Sequence, residues 1–145
     1  MKKLALFVSV VMLGALAASA GTLGIAQFND GGGQTDSLLF PTTLQASWIS
    51  LKNNDATTTT FTVLYYGLDG TNRTPAANTF TIAGNAAVGW RPVATDTNEI
   101  AGIPNATAGA GSGTASILYT GADPSCRVAV FVGGVNSTYA FTAIP

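Results

Sequence analysis

After residue 20, apolar positions recur at every second residue rather than at every third or fourth. The clearest run is 58–66, where Phe61, Val63 and Tyr65 fall on one side and Thr60, Thr62 and Leu64 on the other. A period of two marks a strand with one buried face. The same pattern runs through 23–28 (Leu23, Ile25), 44–53 (Ile49 and Leu51 opposite Trp48) and 78–83 (Phe80, Ile82). It continues through 86–93 (Val88, Trp90), 114–120 (Ile117, Tyr119), 126–132 (Cys126, Val128, Val130, Val132) and 137–143.

Turn chemistry separates these eight short strands. Asn53-Asn54-Asp55, Asp69-Gly70-Thr71-Asn72, Ala83-Gly84-Asn85-Ala86 and Gly133-Gly134-Val135-Asn136 all hold residues that tolerate positive φ. No stretch after residue 20 has helical periodicity long enough for a stable helix. The pattern therefore predicts an all-β fold: a single antiparallel β-sandwich, Ig-like or jelly-roll-like, spanning 21–145. Two stretches do not read as strands. Residues 29–33 (Asn-Asp-Gly-Gly-Gly) read as a flexible connector, and 96–113 as a long irregular loop with a mobile glycine-rich tip.

The N-terminus has a different pattern. Lys2 and Lys3 precede an apolar run from Leu4 to Leu16, and Ala18-Ser19-Ala20 matches a small-x-small cleavage site. Residues 1–20 are thus expected to be a secretory signal peptide cut before Gly21, since the apolar run is too short to span a ~30 Å hydrocarbon core. A two-lysine start with a compact apolar run reads as bacterial. The mature protein is then expected to be secreted or held at the cell surface, with no membrane insertion.

Charge sharpens this picture. Charged residues make up 9% of the chain, against an ordinary ~25%. Without Lys2 and Lys3 there remain four basic and seven acidic residues. That balance argues against nucleic acid as a partner, because phosphate neutralisation needs clustered Lys or Arg.

The chain has no His, one Cys and one Glu. Ser-His-Asp and Cys-His catalysis are thereby excluded. A Ser-Lys pair would rest on Lys52, next to a turn, and the carboxylates needed for glycoside hydrolysis are scattered among turns. No catalytic residue is expected. A single cysteine closes no bridge within the chain, and Cys126 begins an apolar alternation that points to burial.

Two binding chemistries stay open. Asp30 with Asp36, or Asp96 with Glu99, offers oxygens of the kind calcium takes. Neither set has EF-hand spacing and the same residues dominate turns, so the turn reading is preferred and no cofactor is expected. Trp48, Tyr66, Trp90 and Arg91 are the ligand-binding candidates: flat rings stack on a sugar face, and Tyr65 and Tyr66, adjacent in a strand, must point to opposite sides. Packing in a core or interface is the alternative for these aromatics, and the favoured one.

The functional expectation is a non-catalytic structural or surface-associated protein, with a carbohydrate- or surface-binding module as the alternative. The expected partners are other copies of the chain or other extracellular surface proteins, and a polysaccharide in the alternative. Low charge leaves strand edges unprotected against pairing. The assembly candidates are Leu23, Ile25 and Phe28, on a strand tethered by the glycine-rich connector. Such a strand can complete its own domain, which is the simpler expectation, or be exchanged with a neighbour.

Overall fold

Alternation of apolar with polar or small side chains produces eight strands among the described residues. They are β1 (Ala20–Phe28), β2 (Gln45–Lys52), β3 (Thr59–Gly67), β4 (Thr79–Ile82), β5 (Ala87–Trp90), β6 (Gly113–Thr120), β7 (Ser125–Val132) and β8 (Phe141–Thr142). The structure, a computed structural model, describes residues 20–30, 45–95, 99–100, 102–107, 111–132 and 141–142. The signal-peptide reading of 1–20 falls outside these residues except for Ala20, as do the turn expected at 133–136 and the connector after Asp30.

The strands form two four-stranded sheets, β1-β6-β3-β4 and β5-β2-β7-β8, and every pairing is antiparallel. No helix occurs among the described residues. In the first sheet, Leu23, Ile117 and Val63 lie in one row across three strands, and all three are fully buried. Phe61 pairs with Phe80, and their rings stack with centroids 5.8 Å apart. In the second sheet, Ile49 pairs with Val128 and Leu51 with Cys126. These inward residues of both sheets belong to one contiguous apolar cluster. Val130 is buried as the alternation predicts but stands outside that cluster.

Each register follows from local chemistry. Along β3, Thr59, Phe61, Val63 and Tyr65 are buried while the residues between them are not. The tight turn at 83–86 is held by the Ala86 N–H donating to the Ala83 carbonyl at 3.1 Å, with Asn85 at φ 59°. Asn is one of the few side chains that accept that backbone region. The turn carries the chain from β4 in one sheet to β5 in the other. β5 ends at Trp90, three residues short of the predicted strand end; Pro92 follows, and it has no N–H for a ladder.

Asn53, read as the first residue of a turn, holds that turn between β2 and β3, and it is also buried as a hydrogen-bond hub. Its Nδ2 donates to the carbonyls of Thr57 (2.8 Å) and Ile82 (3.0 Å), and its Oδ1 accepts from the Asp55 N–H (2.9 Å). A buried amide needs such partners to offset its desolvation. Within the long irregular stretch, residues 102–107 are docked rather than free. Ile103 and Ala106 are buried, the Ala106 N–H donates to the Pro92 carbonyl (2.7 Å), and the Thr107 N–H donates to the Arg73 carbonyl (2.8 Å).

Candidate functional site

Of the ligand-binding candidates, Trp90 and Arg91 are interior residues, 0% and 1% exposed. The Trp90 indole N–H donates to the Tyr65 hydroxyl (2.8 Å), which donates in turn to the Pro104 carbonyl (2.9 Å). Phe80 packs against Trp90 with ring centroids 5.7 Å apart, and Phe28 meets Tyr65 edge-on at 6.1 Å. Burial pushes the Tyr65 phenol well above its ordinary pKa, so it stays a neutral donor. Trp90 therefore offers no ring face to a sugar; it anchors the core.

Arg91, a ligand-binding candidate in the sequence, is instead taken up by an ion pair inside the fold. Its Nε and Nη2 donate to the two carboxylate oxygens of Asp30 at 2.6 and 2.7 Å, with the two side chains 1% and 0% exposed. Asp30 lies two residues past the end of β1, and Arg91 directly follows β5. The clasp is closed further by the Asp30 N–H donating to Ser112 Oγ (3.2 Å), the Asn29 N–H to Ser47 Oγ (2.8 Å) and the Arg91 N–H to Glu99 Oε2 (3.1 Å). Asp30 is thus a fixed, buried end of β1, not the start of a free hinge.

The calcium reading fares accordingly. The Asp30 carboxylate is engaged by Arg91, and Glu99 accepts from the Arg91 amide. Asp36 and Asp96 lie outside the described residues. Among the described residues, no three His, Cys, Asp or Glu side chains come together as a metal group. Cys126 is buried, and burial pushes its thiol from 9.0 up to about 11.

Trp48 and Tyr66 are the candidates that reach the surface, both half-buried. Trp48 lies over Gly89 on the neighbouring strand, where a Cβ would run into the indole. Tyr66 borders a cavity of about 260 Å³ together with Phe28, Leu68, Asp69, Arg73 and Ser112. Asp69 and Arg73 escaped the sequence reading because one sits in a turn and the other just past it, where polar residues are ordinary.

The assembly candidates Leu23, Ile25 and Phe28 are 0%, 1% and 1% exposed and belong to the core. They bind β1 to its own domain, beside β6. Among the described residues, the outer side of β1 meets no other strand. A register shift between Ile25 and Phe28 bounds the regular part of that edge.

No residue in the four strands of this sheet is charged. Its outer face carries exposed Thr22, Thr60, Thr79, Thr81 and Thr120, with Thr60 opposite Thr81 and Leu118 between Thr22 and Thr62. The other sheet carries Lys52 and Arg127. No family model, no curated protein and no solved structure matches the chain, so the case for function rests on this uncharged strand, which ends its sheet among the described residues, and on what surrounds it.

Proposed function

We propose that the chain is an exported, non-catalytic structural subunit that builds an extracellular filament, coat or matrix by pairing its strand edges. One observation carries the reading: among the described residues, β1 is a nine-residue edge strand without a charge or a proline, in a sheet whose four strands hold no charge. Soluble proteins ordinarily blunt such an edge with Lys, Pro or a covering segment, because open N–H and C=O groups recruit another strand. A second copy is the matching partner, since two identical uncharged edges meet without like-charge repulsion.

The fold reading that goes with this is an Ig-like sandwich. The pairs β2 with β5 and β3 with β6 correspond to the B–E and C–F pairs of that architecture. The first and last positions differ: β1 lies beside β6, and β7 lies beside β2. Cleavage before Gly21 would remove only exposed Ala20 from β1 and leave its buried anchors in place.

Gel filtration and negative-stain microscopy of the chain beginning at Gly21 test the reading. Large oligomers or filaments are expected. A uniform monomer at tens of micromolar would favour the alternative, a binding module that works singly.

A further inference from the structure

We propose that the cavity bordered by Tyr66 and Arg73 is a binding site for one pyranose ring of an extracellular polysaccharide. The proposal is independent of edge pairing and would hold for a monomer.

The site is assembled by the end of β3 and the turn after it. Tyr65 points into the core, so Tyr66 turns outward at the cavity rim. The chain then reverses at Gly70, φ 80°, where the Gly70 N–H donates to the Gly67 carbonyl (2.9 Å). This places Leu68 and Asp69 on the same rim. Both Asp69 oxygens accept from Thr71, at 3.0 Å from its N–H and 2.9 Å from its hydroxyl. These bonds fix the carboxylate and hold its pKa below the ordinary value.

Arg73 is rooted by its backbone, its N–H donating to the Tyr65 carbonyl and its carbonyl accepting from Thr107, both at 2.8 Å. Among the described residues, no hydrogen bond or ion pair engages its guanidinium. Phe28, Gly67, Ala106, Gly111 and Ser112 also line the cavity, and behind it a Cβ at Gly113 would strike the Tyr66 carbonyl and the Phe28 ring.

The chemistry selects the ligand. A guanidinium and a carboxylate lining the same cavity carry no net charge together, which disfavours a phosphate or another free anion. The pair instead suits adjacent hydroxyls, one accepting from Arg73 and one donating to Asp69. Tyr66 and Leu68 present the apolar surface that the C–H face of a sugar needs. At about 260 Å³ the cavity lies just under the ~300 Å³ at which drug-sized sites begin, so it takes one ring and not an oligomer. An isolated ring should bind with affinity on the order of millimolar.

The test is an amide-resolved NMR titration of the chain beginning at Gly21. The probes are glucose, galactose, mannose, N-acetylglucosamine and glucuronate, each to tens of millimolar. At least one neutral sugar is expected to shift amides confined to residues 66–73 and 111–113. Arg73→Gln and Tyr66→Ala should each weaken that binding at least tenfold while the unfolding midpoint stays near wild type. The proposal is overturned if no neutral sugar shifts those amides, or if binding survives in Arg73→Gln. Binding of glucuronate alone, displaced by inorganic phosphate, would mark an anion site and overturn it equally.

Discussion

The guanidinium of Arg91 and the carboxylate of Asp30, 61 positions apart in sequence, meet in the interior through two parallel hydrogen bonds of 2.6 and 2.7 Å. They are a charged pair in a chain that carries little charge, and they tie the end of β1 to the end of β5. Such a pair is a weak source of net stability because both ions lose their water, but its geometry selects one arrangement of the two segments. Removing one partner leaves the other charged and buried.

Asp30→Ala should therefore destabilise the domain by about 3–5 kcal/mol, and Arg91→Met by a similar amount. The double variant should lose clearly less than the two single losses added together. Denaturant midpoints for the four proteins of this cycle check the claim. A wild-type midpoint in Asp30→Ala would show that the clasp is open in solution.

The core makes a second, independent claim. Phe61 is 1% exposed and stacked on Phe80, so Phe61→Ala should cost about 3–5 kcal/mol as a large-to-small change. Leu118, on the opposite face of the same sheet and 38% exposed, should tolerate Ala within about 0.5 kcal/mol. Equal losses at both positions would mean that the sheet buries both faces.

Period two is local, which explains why these strand faces were legible: Phe61, Val63 and Tyr65 declare one side without reference to any partner. The turn at 83–86 was legible for the same reason. What was not legible is long-range. The Asp30–Arg91 pair joins a segment read as a glycine-rich hinge to a residue read as a ligand contact. Asn53 reads as a turn residue until the carbonyls of Thr57 and Ile82 are brought to it. Tyr65 and Tyr66 do point to opposite sides, and Trp90 packs in the core, the favoured reading for these aromatics. Asp69 and Arg73 are brought to one cavity only once the turn folds.

Alkaline pH should weaken the fold. Burial raises the Cys126 thiol from 9.0 to about 11, so the unfolded chain releases this proton at lower pH than the folded chain. The folded state then binds more protons across that window, and stability falls as pH rises from 9 towards 11. Tyr65 is shifted in the same direction. Melting temperatures from pH 8 to 11 should decline, and the decline should be shallower in Cys126→Ala. Below pH 9 the thiol should resist alkylation until the protein is unfolded. Rapid labelling of the native protein would contradict the burial.

Sedimentation velocity on the chain beginning at Gly21, wild type beside Gly24→Lys, tests the edge most directly. Gly24 is exposed on β1, and a Cβ there meets nothing within 4 Å, so lysine fits without disturbing the domain. A lysine on this strand should oppose pairing with a second edge. Wild type is expected to sediment as oligomers at micromolar concentration, and Gly24→Lys as a monomer with an unchanged melting temperature. A monomeric wild type, or a Gly24→Lys protein with the same oligomers, would contradict assembly through β1.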